Sequence, residues 1–299
     1  MVEPYLGNPK RTIEILQKYH FMFQKRYGQN FLIDEHVLQK IIEASEIQDD
    51  DFVLEIGPGI GTLTQYIASK ARKVCAVEVD RSLIPILEDT LMEWNNVVIL
   101  NQDILQTDLA KLIDEQNEGR KIKVVANLPY YITTPIIMSL FEKNIPLSSV
   151  IVMIQKEVAD RMQAQPGTKD YGALSLAVQY YARPQIIATV PQNCFIPRPK
   201  VSSCVIRLTR YDNPPVKARN EKLLFKLIHA SFNQRRKTLV NSLRNAKDQD
   251  LGAYNLTKER LEGILKKVGL DPNIRGEALA LEKFVKLADT IEDESSTGS

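Results

Sequence analysis

The spacing of apolar residues changes along the chain and divides it into regions of different structure. Up to residue 50, apolar residues recur every three or four positions over Thr12–Tyr27 and His36–Ala44, which predicts helices. Short apolar runs then alternate with helical stretches, as is typical of strands buried on both faces of a parallel sheet. These runs are Phe52–Ile56, Val74–Val79, Val97–Leu100, Ile122–Ala126 and Val150–Ile154.

The second half of the chain predicts the end of this sheet and then a different kind of structure. Ile186–Val190 and Ser202–Leu208 have no long helical stretch between them, so they predict an antiparallel pair that completes the same sheet. Two prolines in Tyr211–Pro215 interrupt the pattern, and only helical spacing follows. The sequence therefore predicts a doubly wound, Rossmann-like α/β domain over 1–212, a small all-α domain over 213–291 and an acidic tail over 292–299.

Composition excludes several classes of protein. The 299 residues are 44% hydrophobic and 25% charged, which is ordinary for a globular protein and argues against extensive disorder. No window has the roughly 20 apolar residues of a membrane span, and the first residues do not resemble a secretory signal. Three cysteines without C-x-x-C spacing favour neither disulfides nor zinc, so we expect a cytoplasmic protein without a metal site.

The charge is unevenly distributed, although the formal net charge is only +2. Residues 198–247 hold 13 lysines and arginines but two acids, Asp212 and Glu221. Such a basic segment within a nearly neutral chain indicates a localised contact with a polyanion. The alternative is a solvated helix face whose counter-charges come from elsewhere in the fold.

A glycine-rich turn follows the first predicted strand, with the sequence Glu55-Ile-Gly57-Pro-Gly59-Ile-Gly61. A tight structural turn would explain the glycines alone, but Glu78 lies 21 residues after Gly57, where an acid can bind ribose hydroxyls. After the next strand, Asp103 could accept a hydrogen bond from an adenine amino group. The G-x-G-x-G spacing differs from the dinucleotide pattern, and the Glu55 carboxylate would repel phosphate. These features favour S-adenosylmethionine over NAD or ATP.

The fourth predicted strand leads into Asn127-Leu128-Pro129-Tyr130. The Asn127 amide oxygen and the Leu128 carbonyl could accept the two N–H bonds of an adenine amino group, which would direct its lone pair at a methyl donor. Tyr130 offers a ring on which the base can stack. A simple strand-ending turn is the alternative, and it is less favoured after the fourth strand of such a sheet.

With these two loops stand three further motifs, and together they resemble one family. The motifs are Tyr27–Leu32, Asn193–Ser203 and Phe232–Lys237. In this order and spacing the chain is similar to the ribosomal RNA adenine N6-dimethyltransferases of the small-subunit KsgA/RsmA type, over about residues 20–290. That resemblance implies a methyltransferase domain followed by a helical rRNA-binding domain. It also implies four methylations, on two adjacent adenines near the 3′ end of 16S rRNA in the small (30S) subunit.

The resemblance also implies roles for individual residues. The methyl donor would be bound by Asn30, Leu32, Gly57, Glu78, Asp103 and Asn127. Asn127 and Tyr130 would hold the target adenine, with Phe195 stacked on its other face, although core packing is the alternative for Phe195. The resemblance assigns no role to residues 1–11.

The basic segment then has an expected ligand, since a target base must leave its stack before entering such a pocket. The cations expected to bind the flanking phosphates are Arg198, Lys200, Arg235, Arg236, Lys237 and Arg244. Two other functions stay open: a large-subunit rRNA methyltransferase of the macrolide-resistance type, and a mainly non-catalytic ribosome assembly factor. The function that the resemblance implies requires only a monomer, which is the state we expect.

Overall fold

The computed structural model describes residues 4–143, 145–246, 249–252 and 254–296. Their contacts divide the chain into two compact units. The first comprises the described part of Met1–Ala159 together with Arg183–Arg210, and the second comprises Asp160–Ala182 together with the described part of Tyr211–Ser299. The sequence placed the whole of 160–182 in the first domain, so the observed division differs there.

A sheet of seven strands forms the centre of the first unit. Its strands are β2 (Phe52–Ile56), β3 (Lys73–Glu78), β4 (Val97–Asn101), β5 (Ile122–Asn127), β6 (Leu147–Gln155), β7 (Ala182–Val190) and β9 (Ser203–Arg210). They lie side by side in the order β4-β3-β2-β5-β6-β9-β7. The first five are parallel, and β9 pairs antiparallel with β6. The predicted doubly wound α/β fold is confirmed.

Helices cover the parallel strands, and an additional pair of short strands lies outside the main sheet. The helices of the first unit are α1 (Pro9–Lys18), α2 (Glu35–Ser45), α3 (Thr62–Ala68), α4 (Ile84–Thr90), α5 (Leu109–Asn117) and α6 (Thr133–Glu142), and α7 (Lys156–Gln163) begins in the first unit and ends in the second. The short pair joins β1 (Phe31–Leu32) to β8 (Phe195–Ile196) in antiparallel register. Because β2 and β6 are buried along almost their whole length, their residues read as continuous apolar runs in the sequence.

The amino-terminal segment differs from its prediction. The helix expected over Thr12–Tyr27 ends at Lys18, and His20 adopts a left-handed conformation with φ of 46°. The apolar residues beyond it serve a loop: the rings of Phe21 and Phe23 pack on Phe31 with centroids 5.7 and 5.6 Å away. Apolar residues therefore continue at helical spacing beyond the end of α1, because there they pack together in one aromatic cluster.

Before α1, a buried side chain of α3 holds the chain in place. The Gln65 Oε1 accepts hydrogen bonds from the backbone N–H of Tyr5 at 2.9 Å and of Leu6 at 3.2 Å, and Gln65 Nε2 donates to the Thr90 carbonyl. Both Gln65 and Leu6 are fully buried. The segment to which the resemblance assigned no role is thus an integral part of the first unit, at least from residue 4 onward.

The described part of the second unit is helical. Its helices are α8 (Ala173–Tyr181), α9 (Glu221–Phe232), α10 (Leu239–Arg244), α11 (Gln249–Gly252), α12 (Lys258–Lys267) and α13 (Leu281–Ser296). They share one apolar core that includes Leu227, Leu261 and Phe284. The predicted tail begins too early, because α13 continues to Ser296: Ile291 is buried and Asp293 pairs with Arg219 at 2.6 Å. Residues 297–299 lie outside the described residues.

Candidate active site

The carboxyl ends of the parallel strands meet at one edge of the first unit's sheet, where a cavity opens. Ile56 lies opposite Val77, and Glu78 lies opposite Asn101, so the loops that follow β2, β3 and β4 are neighbours. The cavity is lined by Tyr27–Leu32, Glu55–Gly59, Thr62, Leu63, Val77–Val79, Leu83, Asp103, Ile104, Asn127–Ile132 and Ile136. It therefore gathers every predicted donor-binding residue, together with Asn127, Leu128 and Tyr130.

The glycine-rich turn needs its glycines for two different reasons. Gly57 and Gly59 have φ values of 69° and 62°, which side chains rarely adopt. A Cβ at Gly59 would lie 2.9 Å from the Phe31 ring, whereas a Cβ at Gly57 would meet no atom within 4 Å. Gly57 therefore presents bare backbone to the cavity, and Gly59 allows close packing with β1.

The acid expected to bind ribose is held firmly at the end of β3. Glu78 Oε2 accepts from the backbone N–H of Gly59 at 3.2 Å, and Oε1 accepts from that of Asp80 at 2.8 Å. Burial raises the pKa of Glu78 to about 7, although these backbone N–H groups lower it. The carboxylate is thus oriented toward the glycine-rich turn before any ligand binds.

A second buried acid, Glu55, lies within β2 at the same end of the sheet. It is only 1% exposed, and its Oε2 has no hydrogen-bond partner. Burial raises the pKa of Glu55 to about 8; the neighbouring Thr64 side chain opposes this rise, and the charge of Glu78 adds to it. An unpartnered carboxyl oxygen among cavity-lining residues fits a ligand that brings its own positive charge, as the sulfonium and ammonium groups of S-adenosylmethionine would.

Asp103 lies on the loop after β4, where the sequence placed it. Its Oδ1 accepts from the backbone N–H of Leu105 at 3.0 Å, and its Oδ2 is 3.3 Å from Gln106 Nε2. Asp103 is half-buried at the cavity wall. Its carboxylate is therefore held by its own turn and still available to a ligand.

The turn after β5 has the geometry that an amine acceptor site needs. Asn127 Nδ2 donates to the Asn30 carbonyl at 2.9 Å, which leaves Asn127 Oδ1 free to accept. The Leu128 N–H donates to Met153, and the Leu128 carbonyl accepts no hydrogen bond from the described residues. Two acceptors that lack donors therefore lie next to each other at the cavity wall.

Tyr130 is positioned by a residue that is distant in the sequence. Its hydroxyl lies 2.5 Å from the Oγ of Ser203, the first residue of β9. The Tyr130 ring is half-buried and lines the cavity, and burial raises its pKa. Ser203 is one functional candidate that sequence analysis missed, since nothing in the sequence pairs residues 73 positions apart.

Phe195, predicted to stack on the target adenine, lies in the core of the first unit. Phe195 is 1% exposed and packs in the core cluster with Leu32, Leu38 and Val205 rather than lining the cavity. Its partner in the β1–β8 ladder, Leu32, belongs to the same core cluster. Stacking of Phe195 on a target base stays a prediction, and ordinary core packing is the alternative.

The six predicted RNA-binding cations fall into two groups. Arg235 is engaged within the second unit, where Nη2 donates to the carbonyls of Lys169 at 2.9 Å and Tyr171 at 3.0 Å and Nε lies 3.6 Å from Glu277. The other five are exposed, and their charged groups make no ion pair or hydrogen bond with the described residues: Arg198, Lys200, Arg236, Lys237 and Arg244. Arg235 thus has an internal structural role, and the remaining five are available to a polyanion.

Sequence analysis also missed a hydrogen-bonded pair beside the donor site. Gln29 Nε2 donates to Asp80 Oδ2 at 2.7 Å, and Gln29 Oε1 accepts from the backbone N–H of Gln24. Asp80 is 2% exposed, so its buried carboxylate needs a hydrogen-bond partner such as Gln29. This bond connects the Tyr27–Leu32 motif to the turn that directly follows Glu78 at the end of β3. The motif was visible in the sequence, but its partner was not.

Two kinds of feature are absent from the described part of the chain. No group of histidine, cysteine and carboxylate side chains there has the arrangement of a metal site. No helix among the described residues has the length and apolar character needed to cross a bilayer.

The sheet order and a donor-type cavity at its carboxyl edge define the class of the protein as a methyltransferase of the α/β type. The family model for ribosomal RNA adenine dimethylase matches residues 20–287. The chain belongs to that family.

Individual relatives agree with this assignment. Ribosomal RNA small subunit methyltransferase A of Lachnoclostridium phytofermentans is 62% identical over 290 residues, covering 97% of this chain and 98% of the relative. A dimethyladenosine transferase from Plasmodium falciparum has a similar crystal structure, with a TM-score of 0.72, 25% identity and coverage of 86% of this chain and 95% of that one. The 23S rRNA methyltransferase ErmE shares the fold, with a TM-score of 0.64, 24% identity and coverage of 88% and 99%.

Proposed function

We propose that this protein transfers methyl groups from S-adenosylmethionine to N6 of two adjacent adenines near the 3′ end of 16S rRNA, within the small ribosomal subunit. The observation that carries the proposal is the Asn127–Asn30 hydrogen bond, because it turns the Asn127 amide oxygen toward an incoming amine. The small-subunit relative at 62% identity supports the choice of subunit. The enzyme acts in the cytoplasm and needs only one copy of the chain.

On the donor side, the residues present fit a cationic nucleoside. Glu78 would accept hydrogen bonds from the ribose, and Asp103 from the adenine amino group. Gly57 would lie against the ligand, and Glu55 would face its positive charge. Asn30 and Leu32 would close over it. When bound, S-adenosylmethionine supplies an electrophilic methyl group on a positively charged sulfur.

On the acceptor side, the residues make a poor nucleophile reactive. The lone pair of an adenine amino group is delocalised into the ring, so the nitrogen must become tetrahedral before it can attack. Asn127 Oδ1 and the Leu128 carbonyl would accept its two N–H bonds and direct the lone pair at the donor. The N–C bond forms as the C–S bond breaks, and the resulting cationic amine releases its proton to water. Catalysis then comes mainly from alignment and electrostatics.

The exposed cations of both units would hold the RNA flanking the target. Arg198 and Lys200 belong to the first unit, and Arg236, Lys237 and Arg244 belong to the second. Phosphate contacts position the nucleic acid without reading its sequence. Stacking on Tyr130 would offset part of the cost of unstacking the adenine, at about 1–3 kcal/mol per base.

Methyl transfer from labelled S-adenosylmethionine tests this function. The acceptors are small subunits that lack the modification, with modified small subunits and large subunits as controls. We expect label only in the unmodified small subunits, approaching about four methyl groups per particle as N6,N6-dimethyladenine. Label confined to large subunits would instead favour an enzyme of the macrolide-resistance type.

The Asn127→Ala variant separates an enzyme from an assembly factor. This change removes the oriented amide oxygen, so we expect methyl transfer to be lost while small-subunit binding persists. Undiminished methylation by Asn127→Ala would contradict the proposed acceptor site. Binding without methylation by the unmodified protein would indicate an assembly factor.

A further inference from the structure

Ser203 lies at the acceptor end of the cavity because of the direction of its strand. Parallel β5 ends at Asn127, which pairs with Met153 of β6, and antiparallel β9 begins at Ser203, which pairs with Gln155 of β6. The first residue of an antiparallel strand therefore reaches the same sheet edge as the last residues of the parallel strands. A parallel strand in this place would bring its opposite end to the site.

The bond between Ser203 and Tyr130 joins a buried group to a cavity-lining ring. Ser203 is fully buried, whereas Tyr130 is half-buried, and their oxygens lie 2.5 Å apart. Because buried polar groups are costly without a partner, Ser203 has a strong preference for keeping this bond. The ring of Tyr130 is consequently held at its hydroxyl end as well as at its Cα.

The plane of that ring determines the plane of any base stacked on it. Asn127 Oδ1 and the Leu128 carbonyl have fixed positions, so a tilted base would move its amino nitrogen away from both acceptors. A displacement of about 1 Å in a reacting group can cost about 100-fold in rate. A hydrogen bond that fixes the ring therefore bears directly on the chemical step.

We propose that Ser203 is a positioning residue for methyl transfer, which orients Tyr130 so that the stacked adenine presents its amino group to Asn127 and Leu128. This inference rests on the proposed function. Ser203 touches neither substrate and acts only through Tyr130. Its loss should lower kcat and leave donor binding unchanged.

The test is a double-mutant cycle with Ser203→Ala and Tyr130→Phe. Each single change removes the same hydrogen bond, from opposite sides, and both keep the ring. We expect each to lower kcat on unmodified small subunits by about tenfold or more, and the double variant to be no slower than the slower single variant. Affinity for S-adenosylmethionine, measured by calorimetry, should stay within about twofold, because neither Ser203 nor Tyr130 is among the residues predicted to bind the donor.

Two further variants separate positioning from general structural damage. Ser203→Thr keeps a hydroxyl and should recover most of the lost rate. Ser202→Ala is the matched control, since the Ser202 carbonyl accepts from Lys156 and this contact does not involve its side chain. RNA carrying 2-aminopurine at the target position reports stacking directly, and its fluorescence quenching should weaken in Ser203→Ala.

The outcomes are distinguishable from failure of the proposed function. If Asn127→Ala is inactive while Ser203→Ala retains full kcat, the role of Ser203 is wrong and the function stands. Rate losses that multiply in the double variant, or an equal loss in Ser202→Ala, would also overturn the inference. An unmodified protein that transfers no methyl group to small subunits would overturn both. If Ser203→Ala does not fold, Tyr130→Phe removes the same bond and decides the question.

Discussion

Asn127 and Asn30 are joined by a hydrogen bond of 2.9 Å from the side-chain amide of the first to the backbone carbonyl of the second. They are 97 residues apart, and each lies in a different cavity-lining motif. Since the carbonyl can only accept, the bond decides which end of the Asn127 amide is nitrogen and which is oxygen. The Tyr27–Leu32 motif, which contains Asn30, thereby orients the side-chain amide of Asn127.

Asn127→Asp tests this relationship with almost no change in size. An aspartate carboxylate cannot donate to Asn30 and would face its carbonyl oxygen instead. We expect kcat for methyl transfer to fall by about 100-fold or more, in the range seen when one positioned polar group of an active site is lost. Single-turnover methylation of unmodified small subunits measures this, with the melting temperature as the control for folding. A rate within twofold of the unmodified protein would show that amide orientation is unimportant.

The two buried acids predict a pH dependence of donor binding. The pKa of Glu78 is raised to about 7 and that of Glu55 to about 8, mainly by burial. A cationic ligand favours the ionised acids, so its binding should release protons and strengthen as pH rises from about 6 to about 8.5, by up to about tenfold per pH unit for each proton released. Calorimetry in buffers of different ionisation enthalpy measures the proton count.

The corresponding glutamine variants provide the control for this pH effect. Glu55→Gln should remove the part of the pH dependence of donor affinity that lies nearest pH 8. Glu78→Gln should remove the part near pH 7. The ligand-free protein should show the opposite trend in stability: the folded state keeps these protons to higher pH than the unfolded chain, so stability falls as pH rises from about 4.5 to about 8. A slope that is unchanged in Glu55→Gln would contradict the role given to this acid.

Gly59→Ala should weaken donor binding through a steric effect. Both Gly59 and Gly167 have positive φ, so alanine costs about 1–2 kcal/mol of backbone strain at either position. Only at Gly59 does the new methyl group also meet an aromatic ring, 2.9 Å away on Phe31, while at Gly167 it meets nothing within 4 Å. We expect both variants to melt earlier, but only Gly59→Ala to lose S-adenosylmethionine affinity. Equal affinity in the two would refute the proposed packing constraint.

The exposed cations predict a salt-dependent contact with RNA. Replacing Arg236, Lys237 and Arg244 together by glutamine should weaken small-subunit binding. It should also reduce the slope of log affinity against log salt by about 2–3, since each phosphate contact contributes about 0.7–0.9. Filter binding over a range of salt concentrations measures both.

Arg219→Gln is the matched control for that triple variant. Arg219 also carries one positive charge in the second unit, but it is paired with Asp293 at 2.6 Å. Its loss should affect stability more than RNA affinity. If binding by the unmodified protein were insensitive to salt, the polyanion contact would have to be abandoned.

The residues of the first unit show why the fold was predictable. The apolar run Phe52–Ile56 coincides with β2, and Ile122–Ala126 lies within β5, because strands buried on both faces leave a local signature in sequence. Glycine turns leave one too, since positive φ restricts the residue type. Glu78, Asp103 and Asn127 could be placed because they directly follow or end such strands.

Other parts of the site depend on long-range contacts that no local pattern records. Ser203 meets Tyr130 only because β9 runs antiparallel beside β6, and Gln29 meets Asp80 only because the amino-terminal loop packs on the turn after β3. The core position of Phe195 is another such contact: nothing local shows that this aromatic residue of a proline-rich loop pairs with Leu32 and is buried.

The sequence by itself determined the class of fold and predicted the donor-type loop and the amine-accepting turn, because backbone conformation and strand burial restrict residue types locally. Only the tertiary structure decided which cations are free, where Arg235 is engaged and Arg236 is not. It also decided that the Asn30 carbonyl orients Asn127 and that the Ser203 hydroxyl holds Tyr130. Those outcomes depend on hydrogen bonds between residues far apart in the chain, and packing selects such partners without leaving a periodic signal in the sequence.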